Sequence, residues 1–124
     1  MFAPDDDYTE TPHRLKFSRF AALPYKPPGH VEWDQTTYKR YHALYESVDH
    51  HMNGYTFTQH ESPQEQAAAV FTGSPEEWVP LLQVGYDDRV WFCFWDAGTL
   101  TFCIHQEDLR RNDFSRVHVS LETS

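Results

Sequence analysis

The final third of this chain constrains its fold most, because apolar and polar residues alternate there between closely spaced turn signals. Leu81-Leu82-Gln83-Val84, Val90 to Trp95, Thr99 to His105 and Arg116 to Glu122 each read as a strand. Gly85 to Arg89 and Asp96-Ala97-Gly98 read as turns, and Gln106 to Asn112 as a short polar helix or loop. The pattern predicts a four-stranded antiparallel β-meander. A turn centred on Gly98 sets Phe92 opposite Ile104, Phe94 opposite Phe102 and Cys93 opposite Cys103. One face then carries Val90, Phe92, Phe94, Leu100, Phe102 and Ile104, with Val117, Val119 and Leu121 beside them, and reads as core. The other carries Trp91, Cys93, Trp95, Thr101, Cys103 and His105, and is too aromatic for a face that meets only water. It needs a cover, from this chain or from a partner.

Upstream, Asp34 is placed to cap a helix whose apolar stripe runs Tyr38, Tyr41, Leu44, Tyr45 and Val48. Asp49, Asn53 and Gly54 are expected to close that helix, and its stripe suits one side of the sheet. Ser62-Pro63-Gln64-Glu65 is a capping-box pattern with proline at the first helical position, so a second, short helix is expected over Ala67 to Ala69. Ser74-Pro75-Glu76-Glu77 repeats that signal, but Pro80 follows within a turn and the strand outweighs a helix there. Leu15 to Leu23 begins with strand-like alternation and ends at Pro24, Pro27, Pro28 and Gly29. Residues 1–12 read as a flexible arm and 13–124 as a single domain. The expected fold class is α+β: a C-terminal meander, one main amphipathic helix and an extra N-terminal strand.

Charge narrows the partners. Ten basic residues against nineteen acidic ones leave a formal net charge of -9, which repels phosphate backbones and anionic membranes and steers the chain toward basic surfaces. Direct nucleic-acid binding and membrane insertion are therefore not expected, and no apolar run approaches the ~20 residues of a membrane span. Two cysteines, both in strand-like sequence, fit a reducing compartment, so the cytoplasm is the expected location.

From Val79 onward the chain resembles the C-terminal region of the YwqG-like family of bacterial cytoplasmic proteins. The resemblance is carried by Leu81-Leu82-Gln83-Val84 before an acidic turn, Asp96-Ala97-Gly98 as a counterpart of a Gly-Asp-x-Gly turn, Thr101-Phe102-Cys103-Ile104 with Glu107-Asp108-Leu109, and Phe114-Ser115-Arg116-Val117 with Ser120-Leu121. Trp95 stands where that family's turn has glycine. The resemblance implies the fold and supplies no catalytic residue. Members resemble small acidic α+β proteins kept beside secreted polymorphic toxins, which implies an immunity role.

The candidate chemistry is sparse. His50, His51 and His60 invite a metal- or ligand-binding reading, or an enzymatic one, but lack a ligand spacing such as His-x-x-x-His. Cys93 or Cys103 with His105 is a conceivable nucleophile and base, yet both cysteines lie in mid-strand. Asp87-Asp88 and Glu107-Asp108 read as solvated turn and helix-start acids. No phosphate loop or catalytic triad order is present. The expectation is a non-catalytic binding protein without cofactor or metal, an immunity protein occluding a bacterial toxin with a basic cleft. Its contact candidates are Trp91, Trp95 and His105 with Asp87, Asp88 and Asp96.

Overall fold

A computed structural model describes residues 14–19, 23, 32–44, 50–56, 58 and 60–123. The expected arm, and Tyr45 and Val48 of the expected helical stripe, lie outside them. In chain order the elements are α1 (Gln35–Leu44), β1 (His50–Met52), α2 (Pro63–Val70), a single 3₁₀ turn (Pro75–Glu77), β2 (Trp78–Val84), β3 (Thr99–His105), α3 (Gln106–Arg110) and β4 (His118–Glu122). The strands form one antiparallel sheet in the order β1-β2-β3-β4. The fold is α+β, as the sequence pattern predicts.

The membership of that sheet differs from expectation at two strands. Val90 to Trp95 is not a strand: it makes only isolated bridges, Asp87 to Phe92 and Phe94 to Gly98, within two tight loops. Its expected pairings fail accordingly, since Ile104 pairs with Val79, Phe102 with Leu82, and Cys103 with Pro80 and His118. The place beside β2 is taken instead by His50–Met52. Neither residues 14–19 nor Leu23 lie in a strand, and Leu15 and Phe17 stand exposed. Asn53 and Gly54, expected to stop a helix, adopt left-handed φ of 58° and 85° and turn the chain out of β1.

Local signals fix the helices. Asp34 caps α1 as expected, its carboxylate accepting from the Thr37 amide at 2.7 Å. The capping box of α2 is complete: Ser62 N–H donates to Glu65 Oε2 at 2.7 Å and Glu65 N–H to Ser62 Oγ at 3.1 Å. After Ser74, whose amide donates to Glu77 Oε2, the same signal yields only the 3₁₀ turn before β2 begins.

The cover that the Thr101, Cys103 and His105 face needs comes from within the chain. A bulge between Pro80 and Leu82 shifts the alternation of β2 by one residue, so Trp78, Pro80 and Gln83 share the face of Thr101, Cys103, His105, His118 and Ser120. Helix α2, not α1, packs on this inner face. Ala67 is small enough to let the helix approach Trp78 and Cys103, and these three form the buried apolar cluster. Beside it runs a buried polar row, Gln83, Thr101 and Ser120, where Ser120 Oγ donates to Gln66 Oε1 at 3.0 Å. The outer face holds the rows His50-Val84-Leu100-Leu121 and Met52-Leu82-Phe102-Val119, with Val79 and Ile104. Of that apolar face only Ile104 is fully buried.

Candidate functional site

The β2–β3 connection carries most of the expected contact residues. It leaves β2 at Gly85, whose buried N–H donates to His50 Nδ1 at 3.2 Å. That bond makes Nδ1 the acceptor, so the His50 proton sits on Nε2 and is donated to Asp87 Oδ2 at 2.8 Å. The same carboxylate grips Arg89 through Oδ1 to Nε at 2.8 Å and Oδ2 to Nη2 at 2.7 Å, and Oδ1 also accepts the Arg89 amide at 3.1 Å. Four donors on one carboxylate, led by the Arg89 guanidinium and then His50, hold the Asp87 carboxyl well below the usual carboxylate range.

Two loops follow in series. Asp87 and Phe92 exchange amide and carbonyl, both bonds at 2.9 Å, closing the first loop, and Phe92 sets its ring edge-on to His50 at 6.0 Å. Gly98 N–H donates to Phe94 O at 2.7 Å and closes the second. A Cβ on Gly98 would press on the carbonyls of Phe94 and Glu122, at 2.7 and 2.8 Å, so glycine is required by close approach. Each loop displays one tryptophan, Trp91 at 71% and Trp95 at 73% exposure, and holds it at left-handed φ of 61° and 58°. A bulky side chain in that region costs on the order of 1–3 kcal/mol. Asp88 and Asp96 stand exposed on the same loops, with no ion-pair partner among the described residues.

The expected site residues therefore divide. Trp91, Trp95, Asp88 and Asp96 share one exposed connection. Asp87 is 7% exposed and acts inside that connection as its clamp. His105 is buried on the inner face, edge-on to Trp78 at 5.5 Å, and its Nδ1 caps α3 by accepting the Glu107 amide at 3.2 Å.

The other candidates are dispersed. His50 and His51 point to opposite faces of β1, as alternation requires, and His50 has both ring nitrogens engaged. His51 Nδ1–H donates to Asn53 O at 2.7 Å, and His60 lies on the exposed approach to α2. Among the described residues no three His, Cys, Asp or Glu side chains are grouped to hold a metal ion. Burial pushes the Cys103 thiol up to about 11, which keeps it protonated at neutral pH. The sequence reading missed Arg89 and the role of His50. The Asp87-x-Arg89 spacing within a turn was the available signal for the first, while His50 is brought in from 37 positions away.

Asp87→Asn keeps the shape of the clamp and removes its charge. The Phe92 amide, which closes the first loop, is expected to exchange with solvent at least tenfold faster, measured by hydrogen exchange. The pH dependence has a definite sign. A carboxyl depressed on folding adds stability above its ordinary value of 3.8, lost as pH falls through the lower folded value. Wild-type protection at Phe92 therefore declines only below about pH 4, and the Asn variant lacks that step.

A single antiparallel sheet, a capped helix across one face and a two-loop display at one end define a small α+β domain. The chain belongs to the family described as a domain of unknown function, DUF1963, whose model matches residues 3–122. No curated protein matches it. Among the described residues no helix is long and apolar enough to cross a membrane.

Proposed function

We propose that the chain is a non-catalytic binding protein of the bacterial cytoplasm, an immunity protein whose 85–98 connection occludes a cognate toxin. Within its family it is a YwqG-like member. The observation that carries this reading is the pair of tryptophans, each more than 70% exposed and each held at unfavourable backbone angles by its own closed loop. Strain kept at two exposed aromatics gives the fold nothing in return. Tryptophan is, however, the side chain most enriched where protein partners bury their binding energy.

Asp88 and Asp96 supply the charge that meets arginine or lysine around a toxin's substrate cleft, and the net charge of -9 steers that encounter. Occlusion requires no catalytic group, and the engaged nitrogens of His50 leave it no role as a general base.

The test is co-expression with the product of the adjacent gene. Wild type should rescue growth and co-purify as a stable complex. Trp91→Gly with Trp95→Gly relieves the strain, leaves the melting temperature unchanged or higher, and weakens the complex by roughly a thousandfold, at about 2 kcal/mol or more per hot-spot residue. A harmless neighbour that does not co-purify removes the immunity reading. A complex indifferent to the double variant removes the loops from the interface.

A further inference from the structure

The two loops of the 85–98 connection are not held alike. The first is gathered on the Asp87 carboxylate, which ties both Arg89 and His50 to its base. The second carries more strain on a lighter fastening. Trp95 and Ala97 both stand at left-handed φ, 58° and 53°, and the main-chain bond that closes the loop is Gly98 N–H to Phe94 O. The Cys93 thiol, a weak donor, reaches Trp95 O only at 3.5 Å. Backbone strained in this way persists only where the surroundings over-determine it, so the base of the loop needs a second support.

That support stands at the end of β4. Gly98 lies one step beyond the last β3–β4 pair, Thr99 with Glu122, and continuing the register sets Thr123 opposite it. A β-carbon on Gly98 would sit 2.8 Å from Glu122 O and 2.9 Å from Thr123 Cγ2, besides 2.7 Å from Phe94 O. The bare Cα of Gly98 is therefore wedged between the loop it closes and the strand end, with the Thr123 methyl in the place a side chain would take. Branching at Cβ restricts threonine to few χ1 rotamers, which keeps that methyl against Gly98. The other end of the loop is braced from the β1 side, where Phe94 leans on Phe92 at 5.6 Å and Phe92 meets His50. We infer that Thr123 is a positioning residue for the Trp95 half of the proposed contact surface, its γ-methyl acting through Gly98 to hold the loop in its strained form. That role presupposes that the 85–98 connection is the contact surface.

Thr123→Ser removes the methyl and keeps the hydroxyl, and Thr123→Val does the reverse. Hydrogen exchange on the full chain compares the Gly98 amide with that of Phe92, which closes the first loop. In the serine variant the Gly98 amide is expected to exchange about threefold faster, near the worth of a partly buried methyl group, while Phe92 keeps its wild-type rate. The valine variant should protect Gly98 as wild type does. In the complex with the product of the adjacent gene, Thr123→Ser should raise the dissociation constant by a similar factor, and have no effect beside Trp95→Gly. A general loss of stability would not show that coupling. Gly98 exchange unchanged by serine, valine as damaging as serine, or Gly98 and Phe92 accelerating together each overturns the inference. So does a complex weakened equally with and without Trp95. If no complex forms, the toxin reading falls, while the exchange rates still decide whether Thr123 holds the loop.

Discussion

Trp78→Ala is expected to leave the chain largely unfolded at 37 °C. The indole is 2% exposed, stacks on Phe71 at 5.5 Å, meets His105 edge-on at the same distance, and donates its N–H to Thr72 O at 2.9 Å. Truncating a buried tryptophan costs about 3–5 kcal/mol through lost transfer energy and the cavity that remains. Whole domains of this size are stable by only about 5–15 kcal/mol. The apolar side chains buried among the described residues are few, Pro63, Ala67, Trp78, Cys103 and Ile104, so little else compensates. Urea denaturation followed by far-ultraviolet circular dichroism measures the effect. A loss below about 1 kcal/mol would mean that the α2–β2–β3 cluster is not the core.

Asp108→Asn is expected to lower the melting temperature by roughly 10 °C, since a buried carboxylate and its partners rank among the costliest groups to separate. Asp108 is fully buried at the start of α3. Its carboxylate takes Arg111 Nη2 at 2.7 Å and both Nε and Nη2 of Arg116 at 2.8 to 3.0 Å, which ties the helix to the segment entering β4. Both arginines retain partial solvent access, so they rehydrate in the variant and moderate the loss. Arg116 foremost, then Arg111, holds the Asp108 carboxyl below its ordinary value of 3.8. The stabilisation is therefore present above that value and lost as pH falls through the folded one, because the unfolded chain binds the extra proton. Thermal melts from neutral pH into acid should show wild type converging on the variant below about pH 4. Parallel curves at constant separation would assign the effect to packing alone.

Much of the fold was legible because its signals are local. The Ser62 capping box, the Asp34 cap and the alternation of Thr99 to His105 each depend on residues within a few positions of one another. Val90 to Trp95 misled because its aromatic and β-branched residues have high strand propensity, while the closures at Asp87–Phe92 and Phe94–Gly98 leave no pattern of their own. Which face takes the helix was left open by the sequence for a related reason. Composition favours burying Leu100, Phe102 and Leu121, but small Ala67 and the matching amide of Gln66 bring α2 onto Thr101, Cys103 and Ser120 instead. Half of the candidate site was visible as exposed aromatic and acidic residues. Its clamp was not, since His50 and Asp87 meet only once β1 is paired with β2.

The separate closure of the two loops bears on how such a surface changes over generations. Each ring is fastened at its base by main-chain bonds, which are indifferent to the side chains carried at its crown. Positions 88, 90, 91 and 95–97 can thus be exchanged one loop at a time without touching the main-chain closures, whereas Arg89 is tied to Asp87 and so to the base of the first loop. The toll on each rewriting falls at Trp91, Trp95 and Ala97, where left-handed backbone favours glycine or asparagine over any bulky newcomer.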